Sequence, residues 1–360
     1  MTTQEKQQTL SVGVDVHKDT HTAVGISPFG EKLFECTCGN YESDFEELTL
    51  SVEKYRGTLS PYFGLEDCLG YGERLSSFLV KRYPVIQVHS TLVDRARKRQ
   101  AHPEKSDSLD ALGVAKVMMT NIDSLPTYTV SKESQYAKQI KELGHERECL
   151  VAEQTRLKNQ LHMLLHRIYN SEYTTYFKDP FSLKALKHWS RVRPGCDAVL
   201  LRSMKRKTRR LLELREDLKE IEKDMETLMT GGEYTLTTAS GCGTILAASI
   251  IGEIGDINRF KSPAALAKYA GCAPRECSSG KTTRWRKTRS GNRRLTTAFH
   301  RMALSQISRM GNDKAREYFE KKVSEGKSKS QALVCLRRHM VTIVWMMLKH
   351  GTVFDIHYGD

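Results

Sequence analysis

The sequence predicts an α/β domain over residues 1–125, a pair of long helices over 126–232 and a mainly helical domain over 233–360. Three observations predict it. From Ser11 to Ile26 apolar and polar residues alternate around Val12, Val14 and Val24, the period of half-buried strands. Apolar residues then recur at heptad spacing from Ile140 to Ile168 and again from Met204 to Leu228. Beyond Glu233 a Gly-x-Gly turn opens an apolar helix, and the turn at Phe260 to Pro263 leads into another. With 360 residues, 39% hydrophobic and 28% charged, the chain is long enough and apolar enough for more than one buried core.

The formal net charge of +14 calls for a polyanionic partner, and nucleic acid is the default. A membrane is the competing polyanion, but no segment approaches the ~18 apolar residues of a spanning helix. The opening MTTQEKQQTL lacks the apolar run of a signal peptide. None of the nine cysteines forms a C-x-x-C pair, which predicts reduced thiols in a cytoplasm and gives a zinc site no support.

In chain order, the opening run is a meander of two strands, with Asp15 inside the first. A carboxylate within an apolar strand is costly unless it is neutralised, and a divalent cation does this while leaving the acid ionised. An aspartate capping the turn at Lys18 to His21 suits the stretch equally. Glu31 to Thr37 is a third strand, entered through Gly30. Ser43 and Asp44 offer an N-cap to a helix carrying Phe45, Leu48, Val52 and Tyr55. Tyr62 to Leu65 is a short strand ending in Glu66 and Asp67. A helix over Glu73 to Arg82, a strand over Val85 to Val88 and basic helices from Leu92 follow. Three consecutive strands and then alternating helix and strand is the ribonuclease H arrangement, whose acids cluster where strand ends meet the last helix.

Lys105 to Lys116 reads KSDSLDALGVAK. Its spacing puts Asp107 and Asp110 on one helical face, with Cβ atoms ~5–6 Å apart. Alone, the pair reads as acids favoured near a helix N-terminus. Together with a strand aspartate and a strand-end acid, it reads as a metal site, because Mg²⁺ removes the repulsion between like charges. Asp15, Glu66, Asp107 and Asp110 would then hold two Mg²⁺ ions ~4 Å apart. Asp67 rivals Glu66, since strand neighbours face opposite ways; Glu66 is chosen because it directly ends the strand run.

Ile140, Leu143, Leu150, Leu157, Leu161, Leu164 and Ile168 form one seam, with Arg147 and Gln154 at polar positions. Met204, Leu211, Leu214, Leu218, Ile221, Met225 and Leu228 form a second, ended by Gly231 and Gly232. Tyr173 to Pro194 between them reads as irregular. Polar seam positions set register and partner number, which predicts a coiled-coil dimerisation region, with a hairpin inside one chain as the alternative.

The densest stretch is PRECSSGKTTRWRKTRSGNRR, from Pro274 to Arg294. Arg275, Lys281, Arg284, Trp285, Arg286, Lys287, Arg289, Arg293 and Arg294 are the candidate nucleic-acid contacts, because cations neutralise phosphates and an aromatic among them stacks on bases. A solvated basic loop is the plain alternative. Ser278 and Ser279, beside Gly280, are candidate nucleophiles toward phosphate.

As a set, GVDVHKD, the DxxD of SDSLDA, the central helices, the GxGxxxA stretch with GEIGDINRF, and the PRE..SSG...SGNRRL block resemble the DEDD transposases. That family comprises Piv-like and bridge-RNA-guided insertion-sequence recombinases, and the resemblance spans nearly the whole chain. It implies a RuvC-like domain holding Mg²⁺ on Asp15, Glu66, Asp107 and Asp110, and a second domain whose serine nucleophile matches Ser279, with Ser278 as fallback. It further implies a noncoding bridge RNA that pairs with donor and target DNA, a tetramer built from dimers, and a bacterial cytoplasmic, nucleoid-associated setting. The chain departs from the family at Asp67-Cys68-Leu69-Gly70, where relatives carry a Thr-Gly type turn.

The expected chemistry is attack of Ser279 on a DNA phosphodiester, giving a phosphoserine and a 3′-hydroxyl that later reseals. A metal-dependent junction-resolving nuclease needs the four acids without the serine, a DNA invertase shares the chemistry, and a non-catalytic binder needs only the helices and the basic block.

Overall fold

The computed structural model describes residues 1–68, 70–98, 106–130, 132–279, 282–286, 291–309 and 311–355, with side chains for all of these except 132–134 and 275–286. The chain divides into two compact units, Met1–Lys132 and Glu133–Asp360.

In the first unit the elements run α1 (Thr3–Gln7), β1 (Thr9–Val16), β2 (Thr20–Ile26), β3 (Lys32–Gly39), α2 (Glu42–Tyr55), β4 (Ser60–Leu65), α3 (Glu73–Leu79), β5 (Val85–Gln87), α4 (Ser90–Arg97), α5 (Asp107–Asn121) and β6 (Thr127–Tyr128). They build one six-stranded sheet in the order β3-β2-β1-β4-β5-β6. The first three strands are an antiparallel meander, β4 and β5 continue parallel to β1, and β6 returns antiparallel. Because β1 is covered on both faces, its parity sorts its residues. Leu10, Val12 and Val14 enter a core with Phe45, Leu48, Phe63 and Leu75. Gly13 lies against α5 on the opposite face, where Ala111 and Ala115 meet Val24 and Ile26 of β2. The expected helix at Ser43 starts two residues earlier. Its N-cap is Tyr41, which makes no side-chain cap bond.

The second unit holds α6 (Lys132–Tyr169), α7 (Tyr173–Tyr176), α8 (Leu183–Arg191), α9 (Ala198–Gly231), α10 (Thr244–Ile254), α11 (Pro263–Tyr269), β7 (Arg275–Ser279), β8 (Thr282–Arg286), α12 (Arg293–Ile307), α13 (Asp313–Ser324) and α14 (Lys329–His350). The two long helices fold back on one another. Arg147 Nε donates to Glu222 Oε1 at 2.9 Å, Arg210 Nε to Glu153 Oε1 at 2.9 Å, and Lys207 Nζ to Gln160 Oε1 at 2.7 Å, an antiparallel order. Arg147, a polar interruption of the seam, therefore has its partner inside the chain.

The stretch expected to be irregular holds α8, capped by Ser182, whose Ala185, Leu186 and Trp189 join Leu161, Leu165, Met204 and Leu211 in a core at the far end of the hairpin. Trp189 Nε1 donates to the Pro180 carbonyl at 3.0 Å, so the proline-containing segment closes over the indole. At the near end, Ile140, Ile221 and Met225 share a core with Ile251, Phe299, Met302 and Met340. Residues of the expected second and third segments thus pack in one core. Among the described residues no helix is long and apolar enough to cross a membrane, and the cysteines whose side chains are described are free thiols.

Candidate functional site

Two glycines set the geometry of the acidic site. A Cβ on Gly13 would collide with the backbone of Ala111 and Ala115, so α5 crosses β1 at backbone contact distance. A Cβ on Gly64 would meet Met118 Sδ at 3.0 Å and Val114 Cγ1 at 3.2 Å, so β4 is approached by the same helix. Strand alternation then carries the side chains two residues onward, Asp15 and Glu66, to the helix face of the sheet. Val14 and Leu65 are paired in the parallel ladder, which sets these two acids side by side at the C-terminal ends of neighbouring strands. Asp107 and Asp110 lie in the first turn of α5, whose N-cap Ser106 accepts from the Leu109 N–H at 3.2 Å. Ala111, pressed on Gly13, is one turn beyond Asp107, so the contact that seats the helix also brings its acids toward Asp15.

His17, two residues beyond Asp15, joins this group. Its Nε2 lies 3.1 Å from Asp15 Oδ2 and 3.5 Å from Asp107 Oδ1. Asp15, His17 and Asp107 each offer a ligand atom, and these atoms all lie within 4.8 Å of one another. Arg97, at the end of α4, donates to Asp110 Oδ1 at 3.1 Å and to Asp94 Oδ1 at 2.9 Å. Asp67 faces its own turn: its carboxylate accepts from Gly70 N at 2.7 Å and Tyr71 N at 3.0 Å.

Burial pushes Glu66 up to about 7, Asp15 and Asp110 add to the shift, and Arg97 opposes it. Burial likewise raises Asp15 above its ordinary range; His17 opposes this, and Asp110 and Asp107 reinforce it. Half-buried carboxylates that repel one another are short of positive charge, and two aspartates with an imidazole are donors for a divalent cation. The residues present therefore fit a divalent metal site.

Ser279 ends β7, and the antiparallel register pairs it with Thr282 and pairs Arg275 with Arg286. Only the backbone of Arg275, Ser278, Ser279, Arg284, Trp285 and Arg286 is described, and Lys281, Lys287 and Arg289 lie outside the described residues. Arg293 and Arg294 open α12 and line a cavity of 1310 Å³ together with Lys141, His145, Glu253 and Arg301. Arg294 is engaged: its Nε is 2.9 Å from Glu148 Oε2 and its Nη1 is 3.6 Å from Glu253 Oε1. Arg293 has no ion-pair partner among the described residues.

Sequence reasoning passed over His17 and Arg97. Strand parity carries the signal for His17, because 13, 15 and 17 share a face. Arg97 left none, since nothing local distinguishes it from the neighbouring cations Arg95 and Lys98.

Residues 12–170 match a family model described as a transposase, of the DEDD type of IS110, and residues 233–320 match the Transposase IS116/IS110/IS902 family. The 44.8 kDa protein of insertion element IS116 from Streptomyces clavuligerus is 27% identical over 95% of this chain and 95% of its own length. The pilin gene-inverting protein of Moraxella bovis is 24% identical over 96% of this chain and 97% of its own. The 43.6 kDa protein of insertion element IS110 from Streptomyces coelicolor is 37% identical over 33% of this chain and 29% of its own. With both units matched by family models and full-length relatives of the same kind, the chain belongs to the IS110/IS116 transposase family and is a DNA-rearranging enzyme.

Proposed function

We propose that this chain cuts and rejoins DNA strands of an insertion sequence through a covalent phosphoserine, with Mg²⁺ held by Asp15, Glu66, Asp107 and Asp110. The observation that carries the reading is the convergence of acids from β1, β4 and α5 at one end of the sheet, where burial and mutual repulsion raise Asp15 and Glu66. The strand order, with an antiparallel start and a parallel continuation, supports a RuvC-like ribonuclease H fold for the first unit. Bound there, Mg²⁺ would polarise the attacking oxygen and steady the leaving one.

In this reading the Ser279 oxygen attacks phosphorus as its proton departs. The bond from phosphorus to the 3′ oxygen breaks, and that oxygen takes up a proton. A phosphoserine and a free 3′-hydroxyl result. After strand exchange a 3′-hydroxyl attacks the phosphoserine and returns the serine. The ester bond is conserved throughout, so the step needs no nucleotide hydrolysis. Arg275, Lys281, Arg284, Trp285, Arg286, Lys287, Arg289, Arg293 and Arg294 hold donor and target DNA and a noncoding bridge RNA that selects them. The helices over 126–232 serve as the dimerisation region, two copies meeting on faces of the hairpin outside the seams that are packed within each chain, and dimers pair into a tetramer. The pilin-inverting relatives, aligned along nearly the whole chain, favour DNA inversion as a second reading.

The test is a nicked DNA substrate that traps the intermediate. The parent protein gives a protein–DNA adduct resistant to denaturation, and Ser279→Ala and Asp15→Asn give none. Cleavage without an adduct by Ser279→Ala would indicate a plain nuclease. Sequencing RNA that copurifies with the protein tests the guide, and a plasmid with inverted sites separates inversion from insertion.

A further inference from the structure

Glu253 is a carboxylate on α10 with 7% of its surface exposed. Its Oε2 accepts from Asn292 Nδ2 at 2.5 Å, and its Oε1 lies 3.1 Å from His145 Nε2 and 3.6 Å from Arg294 Nη1. Three helices therefore meet on one buried acid: α6 through His145, α10 through Glu253 itself, and α12 through its N-cap Asn292.

Asn292 also stands where the chain returns from the β7–β8 pair. Its backbone N–H donates to the Tyr269 carbonyl at 2.7 Å, and its Oδ1 accepts from Leu295 N at 3.0 Å. One turn on, Thr296 Oγ1 donates to the Ala270 carbonyl at 2.6 Å. Gly291, at φ +107, sits so close to Gly271 that a Cβ would lie 2.7 Å from the Gly271 nitrogen. On the outgoing side, Arg259 lies 4.6 Å from the ring centres of both Phe260 and Tyr269, and its Nε donates to the Ile254 carbonyl at the end of α10. The segment that leaves after α11 and returns before α12 is thus stitched shut at its root, and Glu253 is the only charged side chain bonded to the Asn292 side chain there among the described residues.

The geometry points to Glu253 as a positioning residue: by holding Asn292 it fixes the direction in which the β7–β8 pair, and Ser279 at its tip, leaves the helical body. This rests on the reading of Ser279 as nucleophile. Replacing a whole buried polar pair by apolar residues is often neutral, whereas removing one partner is destabilising; beyond stability, such bonds are directional and hold one arrangement. A nucleophile at the end of a strand pair is sensitive to that, because a shift of about 1 Å costs on the order of 100-fold in rate.

The test uses the full-length protein and four variants, Glu253→Ala, Glu253→Gln, Asn292→Asp and the double Glu253→Gln/Asn292→Asp. Glu253→Gln leaves one acceptor where there were two, so its NH2 must face either the Asn292 amide or the Arg294 guanidinium and His145 on the other side, and Asn292→Asp sets carboxylate against carboxylate. The double variant reverses the polarity of the bond and keeps an N-cap acceptor for Leu295. We expect each single variant to lower the thermal midpoint and, assayed at a temperature where it stays folded, to lose about 10- to 100-fold in adduct formation while DNA affinity holds, and the double variant to recover. Tryptic cleavage between 281 and 289, mapped by mass spectrometry, should quicken in the single variants and return to the parental rate in the double.

The inference is overturned if the double variant recovers neither readout. It is equally overturned if the single variants match the parent, or if every readout falls in step with the thermal midpoint, as for a plain structural residue. If Ser279→Ala still forms the adduct, the proposed chemistry fails on its own, and the tryptic map still judges the clamp.

Discussion

Gly13→Ala tests how the acidic site is assembled. The added methyl would lie 2.9 Å from Ala115 Cα, and closer still to the Ala111 carbonyl and the Ala115 nitrogen. Carbon atoms rest about 3.5–4.0 Å apart, so α5 must withdraw from β1 by roughly 1 Å, since no side-chain rotation relieves a clash between backbones. Overpacking of this kind costs about 1–3 kcal/mol in stability. Because Ala111 is one turn from Asp107, the withdrawal carries Asp107 and Asp110 away from Asp15 and His17. Affinity for Mn²⁺, used as a calorimetric probe, should then fall roughly 10- to 100-fold, as when groups that orient ligands are lost. Gly144→Ala is the control: apart from the adjoining residues and backbone of its own helix, nothing lies within 4 Å of the new methyl, and alanine inside α6 should stabilise by about 0.5–1 kcal/mol. A Gly13→Ala protein with parental stability and Mn²⁺ affinity would refute the claim that the approach of α5 to β1 positions the acids.

Glu66 and Asp67 should separate cleanly. Glu66→Gln weakens Mn²⁺ binding in calorimetry, whereas Asp67→Ala leaves it intact and costs about 0.5–1.5 kcal/mol by denaturant titration for each turn bond lost. Glu222→Ala should cost only about 0.2–1 kcal/mol, since its ion pair with Arg147 is partly exposed, and a larger loss by denaturant titration would mean that the polar seam position matters beyond one chain. Burial pushes the Glu253 carboxyl up, but bonds from Asn292 and His145 and the charges of Lys141 and Arg294 outweigh it and hold it below its ordinary value. Its stabilising contribution is then present above the unfolded carboxyl value and lost as pH falls through the folded one. Thermal midpoints of the parent should therefore drop on acidification more steeply than those of Glu253→Gln, and parallel curves would count against the assignment.

The meander from Ser11 to Ile26 was legible because strand pairing and burial follow the same alternation in the sequence and in the sheet. Asp107 and Asp110 were legible because helical spacing fixes a shared face. Glycine parity was the weaker signal: Gly13 and Gly64 show no contact of their own in the sequence, yet they decide where α5 sits and which strand-end acid faces it. The heptad seams announced two long helices with an apolar face but not what covers it, since periodicity identifies a face and not its partner; the covering includes α8 at one end and α10, α12 and α14 at the other. The helix α8 left a signal that the flanking aromatics and prolines masked: Ser182 is an N-cap, Leu183 to Lys187 are strong helix formers, and Ala185, Leu186 and Trp189 share one face. The β7–β8 pair was hidden by its basic composition. With Arg275, Glu276, Cys277 and Ser278 in succession, there is no apolar alternation to read.

The account stands on acids from distant parts of the sequence gripping divalent cations together. Calorimetric titration of the full-length protein with Mn²⁺, beside Asp15→Asn, tests this most directly. Two ions bound per chain in the parent and none held tightly in Asp15→Asn is the predicted result. Equal binding by both proteins would contradict it, and so would no binding by either.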